Sequence, residues 1–369
     1  MLALILSLFI LCQTTSNSFL NYYNEIEVNN SEVEISKYFM YQIVYRDDNI
    51  YYIIPKIDDD CSFQMKNISK SLTKEIKIYI PDSLFTYECS RSNISGADIN
   101  KDTLIVLIYK YLLIYKLSDD SASLINIINL NELFNKDLLY LANSIKIKGN
   151  KLYGMNEYYH TKRDSTFYYW CYDIKEPTNS KFIYLPEPKG YYWTLFQPRQ
   201  IMDVSENEVI TTDITEYSIR VENLKNGKTD TLTRTIPNWL AAYYPTSKFK
   251  DRHPGQVIEF LQNDTSTIST MNNIQFIDDN RIFLCYSFVN NDETSSQLYD
   301  LYYDIWERVN GKWLLTKADI DNKQFSDSNE NKAFFKIGNI YYIYNGKMIS
   351  THYSYEQEKG KFLIREFVK

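Results

Sequence analysis

The tripeptide Asn-Gly-Lys occurs three times in the second half of the chain, at Asn226-Gly227-Lys228, Asn310-Gly311-Lys312 and Asn345-Gly346-Lys347. Each copy separates two stretches rich in Tyr, Ile, Val and Thr. Asn-Gly between such stretches marks a β-hairpin, because the residues of a tight type I′ turn need positive φ. A similar tripeptide, Lys359-Gly360-Lys361, opens the last apolar run, KFLIREFV. One supersecondary unit used repeatedly accounts for this recurrence.

The flanking segments read as strands. From Glu216 to Glu222 the residues Tyr217, Ile219 and Val221 alternate with Ser218, Arg220 and Glu222. That period of two puts one apolar row on one face. Working outward from the turns lays out about six units. Each has a second run that follows a polar turn, starting near Asn49, Thr103, Lys151, Glu208, Arg281 and Asn339. The widest gap contains Pro237 to Asn263, where a short helix, a long loop or a degenerate seventh unit fits. Small four-stranded sheets cannot bury both faces alone, but a closed ring of them can. The expected fold is therefore an all-β propeller, six blades first, with seven blades or paired β-sandwiches as alternatives. A strand near Glu25 (EIEV) is placed to complete a blade begun by the C-terminus.

Composition fits this reading and excludes some partners. The chain of 369 residues contains 34 Tyr and 10 Gly. Tyrosine and β-branched residues favour pleated surfaces, although an AT-rich genome also enriches Tyr, Asn, Ile and Lys together. The formal charge of -7 is spread along the sequence. It argues against nucleic acid, which needs a basic stripe, and against a polybasic membrane-surface mode.

The N-terminus carries the clearest targeting pattern. Met1 to Leu11 is uncharged and almost wholly apolar; it is too short to span a bilayer and suits a signal-peptide core. Residues 1–18 are read as the leader and 19–369 as one propeller domain. Phe9-Ile10-Leu11-Cys12 resembles a bacterial lipoprotein signal, in which the Cys is lipidated and becomes the mature N-terminus. Leu11 stands where that signal has a small residue. Cleavage near Ser16 or Ser18 is the alternative, and a buried N-terminal strand is a third. The expected location is extracytoplasmic, in the periplasm or at the outer membrane or cell surface. Leader, strand repeats and blade-like phrases such as ITEYSIRVENLKNGK together resemble the six-bladed, TolB-like propeller lipoproteins of Bacteroidota. That resemblance implies location and architecture, and no functional residue carries over from it.

Catalytic signatures are sparse. There is no GxSxG, HExxH, phosphate loop or GxGxxG, which leaves no motif for an activated serine, a zinc helix or a nucleotide. His160, His253 and His352 are far apart in sequence, so no metal site and no cofactor are expected. Asp47-Asp48, Asp58-Asp59-Asp60 and Asp278-Asp279 fall where turns belong, and Asp is a common turn residue. Of the cysteines other than Cys12, Cys171 and Cys285 lie inside apolar runs and read as small buried hydrophobes. Cys61 and Cys89 lie near polar turns and are close enough in the repeat to meet. Four cysteines allow three pairings, all left open by the sequence. Sequons at Asn29, Asn67, Asn93 and Asn263 matter only in a eukaryotic source.

The best binding candidates lie in the long irregular stretches. Tyr191, Tyr192 and Trp193 follow Pro188-Lys189-Gly190. Trp239, Tyr243 and Tyr244 lead to Asp251, Arg252 and His253. Aromatic faces with Asp and Arg suit a sugar or a peptide, and loops on a rigid scaffold are where such residues gather. The same aromatics also suit a core beneath a long loop. The expected function is a binding or scaffold protein of the cell envelope with a protein, peptide or glycan partner. A glycan hydrolase acting through paired carboxylates is the alternative.

Overall fold

The computed structural model describes residues 20–28, 42–46, 49–55, 62–69, 72–81, 84, 94–108, 110–134, 142–156, 168–184, 202–212, 217–236, 269–289, 299–321, 342–354 and 359–368. Among these residues the chain forms 24 strands. In chain order they are β1 (Leu20–Val28), β2 (Gln42–Arg46), β3 (Asn49–Pro55), β4 (Ser62–Ser69), β5 (Leu72–Tyr79) and β6 (Ile94–Asn100). Next come β7 (Thr103–Ile108), β8 (Tyr111–Leu117), β9 (Ala122–Asn129), β10 (Ala142–Lys148), β11 (Lys151–Asn156) and β12 (Tyr168–Asp173). The third group is β13 (Lys181–Tyr184), β14 (Met202–Val204), β15 (Glu208–Thr212), β16 (Ser218–Asn223), β17 (Thr229–Thr233) and β18 (Thr270–Asp278). The last are β19 (Arg281–Val289), β20 (Tyr299–Val309), β21 (Lys312–Asp321), β22 (Tyr342–Tyr344), β23 (Lys347–Ser354) and β24 (Lys359–Phe367).

Hydrogen bonding gathers them into six four-stranded antiparallel sheets. Five of these are consecutive: β2–β5, β6–β9, β10–β13, β14–β17 and β18–β21. The remaining sheet runs β22-β23-β24-β1 in space, so the first strand of the chain completes the last sheet. Leu20 pairs with Phe367 and Val28 with Gly360. The first strands of successive sheets, β2, β6, β10, β14, β18 and β22, lie side by side, and β22 returns to β2. The fold is an all-β propeller. Paired sandwiches are not what the chain adopts, because each sheet meets two neighbours and not one. No seventh sheet occurs among the described residues; Pro237 to Asn263 lie outside them.

The reason for the ring is visible in single strands. On β7, Leu104, Val106 and Ile108 pack toward the β2–β5 sheet, while Ile105 and Leu107 pack toward β10–β13. On β19, Ile282, Leu284 and Tyr286 face the β14–β17 sheet, and Phe283 and Cys285 face the sheet closed by β1. Side chains alternate across a strand. A strand stretch buried on both faces must therefore be apolar at every position, as residues 104–108 and 282–286 are. Each fully buried Leu, Ile or Phe contributes about 1.5–3 kcal/mol relative to exposure. Toward the rim the alternation returns: on β16, Ile219 and Val221 are buried and Ser218 and Arg220 only partly so, as the sequence pattern required. Cys171 and Cys285 are buried, matching their reading as small hydrophobes; Cys61 and Cys89 lie outside the described residues.

Two sequence expectations need correction. Asn310-Gly311 and Asn345-Gly346 are two-residue turns with positive φ at both positions (51° and 77°; 50° and 71°). At Asn226-Gly227 only Gly227 has positive φ. There the loop is longer. The Asn223 side chain accepts from the amides of Lys225 and Asn226, and Gly227 N donates to Asn223 O. The local Asn side chain thus replaces the tight turn. Second, the run at Asn339 was expected to be the second strand of its unit. Its described part, Tyr342–Tyr344, is the first strand, and the second begins at Lys347. The fourth strand of that sheet comes from the other end of the sequence, as expected of the strand near Glu25.

Gly154, on β11, is a packing glycine. A Cβ built on it would lie 2.1 Å from Trp170 Cζ2, and Trp170, on β12 opposite it, is completely buried. Gly154→Ala should therefore destabilise the protein by about 1–3 kcal/mol through overpacking. Chemical denaturation measures this, and Trp170→Leu in the same chain should recover part of the loss.

Candidate functional site

Strict alternation gives the ring two unlike ends. The connections from first to second strand and from third to fourth strand lie at one end. Most of them are tight, such as Lys101-Asp102, Gly149-Asn150, Asn310-Gly311 and Asn345-Gly346. Strand ends at the other end flank the longest stretches between strands, among them 185–201, 237–268 and 322–341. Two contacts show that neighbouring first strands run in the same direction. Ile343 N donates to Gln275 Oε1, and further along Gly346 N donates to Ile277 O. The start of β1 belongs to the tight-turn end: Leu20 pairs with Phe367, and Phe367 N donates to Gly346 O.

Buried polar side chains tie first strands to one another. Asp98 on β6 accepts from Ile147 N on β10 at 2.9 Å. Asp203 on β14 accepts from Phe276 N on β18 at 2.8 Å. Gln275 on β18 accepts from Ile343 N on β22 at 2.7 Å. All three acceptors are buried. Asp98 and Asp203 each stand five residues before the second strand of their sheet; Gln275 stands six before, because β18 carries a bulge. Lys146 occupies the same position on β10 and instead directs its Nζ at Asp203 Oδ1, 3.6 Å away. One position of the repeat is thus an inter-sheet latch. It satisfies backbone amides that the small sheets leave unpaired at their inner edges.

A second cluster joins the β14–β17 and β18–β21 sheets toward the end with the long stretches. Its centre is Asp304 on β20, with no exposed surface. Asp304 accepts from the hydroxyls of Tyr217 (2.5 Å) and Tyr286 (3.1 Å), from Asp319 N (2.9 Å) and from Arg234 Nη1. Arg234 also pairs with Asp319, which accepts from the Tyr286 hydroxyl at 2.7 Å. Trp306 Nε1 donates to the Tyr217 hydroxyl, and the guanidinium lies over the Tyr217 and Tyr286 rings. Arg234 follows β17 directly, and 237–268 begin three residues later. Asp319 holds a positive φ of 52° beside a bulge in β21.

Burial is the largest influence on Asp304 and holds its carboxyl above the usual carboxylate range. Tyr217, the Asp319 amide, Arg234 and Tyr286 pull the other way. Burial and the Asp304 charge push both phenols above their ordinary range, so they remain proton donors. Asp304 and Asp319 are a carboxylate pair sharing one hydroxyl and one guanidinium. Asp304 is sealed from solvent, so the pair cannot flank a glycosidic bond. Its chemistry is that of a lock between sheets.

The residues singled out from sequence, Tyr191, Tyr192, Trp193, Trp239, Tyr243, Tyr244, Asp251, Arg252, His253 and Cys12, all lie outside the described residues. So do His160, Asp47-Asp48 and Asp58-Asp59-Asp60. Asp278 and Asp279 are at a turn, as expected: Asp278 accepts from Asn280 N and pairs with Arg281. Sequence reading missed the latch and the lock. The latch had a faint signal, since a polar residue recurs at one repeat position within apolar strands. The lock had none, because its members are scattered from Tyr217 to Asp319.

No family model matches the chain, and no curated protein matches its sequence. Among solved structures, a member of the DUF4221 family from Bacteroides vulgatus superposes with a TM-score of 0.56 at 9% identity, covering 94% of this chain and 97% of that one. A luciferin-regenerating enzyme superposes at 0.44 with 7% identity, covering 93% and 95%. The N-terminal domain of Nup159 superposes at 0.43 with 9% identity, covering 94% and 95%. At such identities the likeness to the Bacteroides protein speaks for the propeller fold alone.

Two outcomes test the polar clusters. Asp203→Ala leaves Lys146 facing an empty position and the Phe276 amide unpaired, so it should cost about 3–5 kcal/mol; Asp203→Asn, which retains an acceptor, should cost less. The second test concerns pH. With its folded-state pKa above the unfolded value, native Asp304 takes up its proton first, and stability from this group grows as pH falls toward the ordinary carboxylate range. It is lost again as pH rises. Melting curves of wild type and Asp304→Asn should therefore diverge in favour of wild type between pH 7 and 4. Convergence would mean that the donors outweigh burial.

Proposed function

We propose that this chain is an exported six-bladed propeller, tethered by its N-terminus and lipidated at Cys12, that serves as a binding or scaffold protein of the cell envelope. The six four-stranded sheets support the blade count. The observation that carries the functional reading is the inequality of the two ends. Strand β1 begins at the tight-turn end, so a tether leading into it leaves the opposite end free. That opposite end is bounded by the strand termini flanking 185–201 and 237–268, the stretches that contain Tyr191, Tyr192, Trp193, Trp239, Tyr243, Tyr244, Asp251, Arg252 and His253. Inter-sheet latches hold those termini in a fixed frame, and rigid frames with variable connections are the usual basis of binding. The partner in this reading is a peptide or glycan that stacks on aromatic rings and pairs with Asp251 and Arg252.

A thermal-shift panel of glycans and peptides tests this. A ligand of the folded state at a hundred times its Kd stabilises by about 2.7 kcal/mol. One class should raise the melting temperature reproducibly. Trp193→Ala or Trp239→Ala should abolish that shift without lowering the ligand-free melting temperature. A flat response across the panel, or a shift indifferent to both substitutions, counts against a small-ligand face.

A further inference from the structure

Neighbouring sheets meet in wedges, and the wedge between β10–β13 and β14–β17 is built differently from those on either side of it. At the inner edge, each latch acceptor reaches the amide that follows the latch position of the next sheet: Asp98 takes Ile147 N, Asp203 takes Phe276 N and Gln275 takes Ile343 N. On β14 the corresponding amide belongs to Val204. The side chain opposite it on β10 is Lys146, and an ammonium group has no lone pair to offer an amide. Lys146 pairs with Asp203 instead, at 3.6 Å with the two side chains 6% and 8% exposed. At that burial, desolvation offsets most of what an ion pair gains. The difference continues outward. On β16, Ile219 and Val221 face the β18–β21 sheet, so Ser218, Arg220 and Glu222 face β10–β13. There Arg220 and Glu222 act electrostatically on Tyr169 of β12. By contrast β8 presents Leu113 and Tyr115 to one neighbour and Leu112 and Ile114 to the other. Arg220 pairs with Glu222 on its own strand, and its Nε is buried with no acceptor, an unmatched donor that destabilises the closed wedge. Among the described residues, the buried apolar contacts left to hold the wedge are Tyr153, Tyr169 and Cys171 against Met202, Val204 and Val209.

We infer that this wedge is a seam at which the ring opens: the β10–β13 and β14–β17 sheets part reversibly while the wedge between β18–β21 and the sheet closed by β1 stays shut. Sub-global opening occurs where apolar burial is thin and backbone groups are poorly protected, and here a missing latch, a buried ion pair and a charged strand face fall on one interface. Opening needs neither a lipid anchor nor a ligand, so it stands apart from the binding reading above. It turns the closed ring into an arc and gives solvent a path to the inner edge, with each four-stranded sheet intact. Two buried cysteines report on it from different places. Cys171 lies in this wedge, and Cys285 lies in the wedge between β18–β21 and the sheet closed by β1.

Alkylation of the full chain by N-ethylmaleimide, followed by site-resolved mass spectrometry, tests this. Each rate is divided by that of the same cysteine in the urea-unfolded chain. Cys171 should react at least about tenfold faster than Cys285, as expected when one site opens locally and the other only globally. Its rate should rise with urea, but less steeply than global unfolding does, because a seam exposes only part of the surface. Lys146→Gln supplies an acceptor for Val204 N and a donor for Asp203. It should slow Cys171 by about threefold or more, the scale of one hydrogen bond, and leave Cys285 unchanged. Arg220→Leu combined with Glu222→Leu should slow Cys171 as well, by making that face of β16 apolar. Equal rates at the two cysteines overturn the inference, and so does a Cys171 rate indifferent to urea. A Cys171 rate that neither set of substitutions slows overturns it too.

Discussion

A four-stranded sheet whose central strands are apolar on both faces has no stable place except between two others like it. That constraint governs this molecule. β7 divides its side chains between two interfaces, with Leu104, Val106 and Ile108 on one side and Ile105 and Leu107 on the other. β19 does the same. The hydrophobic core is accordingly not one mass but a series of wedges between neighbouring sheets. Leaving any sheet with an unpartnered face would expose a row of Ile, Leu, Tyr or Phe, so the series has to return on itself.

Closure joins the ends of the chain. β1 and β24 pair along eight positions, which makes the last sheet depend on the first strand and puts the start of β1 and the end of β24 at the tight-turn end. The inner latch follows from the same geometry. First strands cannot form a continuous ladder across sheets, so Asp98, Asp203 and Gln275 reach over to single amides. Lys146 breaks the series and turns it into an ion pair, which replaces a shared amide by a charge that Asp203 must balance. Rigidity at the inner edge and freedom of connection at one end are therefore consequences of the same arrangement.

The Asp304 cluster shows how such a fold treats charge away from the inner edge. Two phenols, one guanidinium and one backbone amide converge on a carboxylate without solvent contact, and the Trp306 indole donates to one of the phenols. Removing one partner would strand a buried charge, whereas the complete set specifies which face of one sheet meets which face of the next. Asp319 holds a positive φ to put both its amide and its carboxylate into the set, a conformation that costs energy unless its surroundings fix it.

By itself the sequence determined the strand class, the period-two rim, most second strands and two of the three Asn-Gly turns, because these depend on residues within a few positions of each other. It also marked Cys171 and Cys285 as core by their apolar neighbours. The turn at Asn226 escaped it because the Asn223 side chain, three residues upstream, sets the loop. The sequence placed the strand near Glu25 in the blade begun by the C-terminus, where β1 pairs with β24, but ranked the run at Asn339 second in that blade, where Tyr342–Tyr344 is first. Tertiary structure alone decided that Tyr217, Arg234, Asp304 and Asp319 form one unit and that Asp98 meets Ile147. Apart from Asp304 and Asp319, those contacts join residues 49 to 87 positions apart, and nothing in a local pattern encodes which sheet will stand beside which.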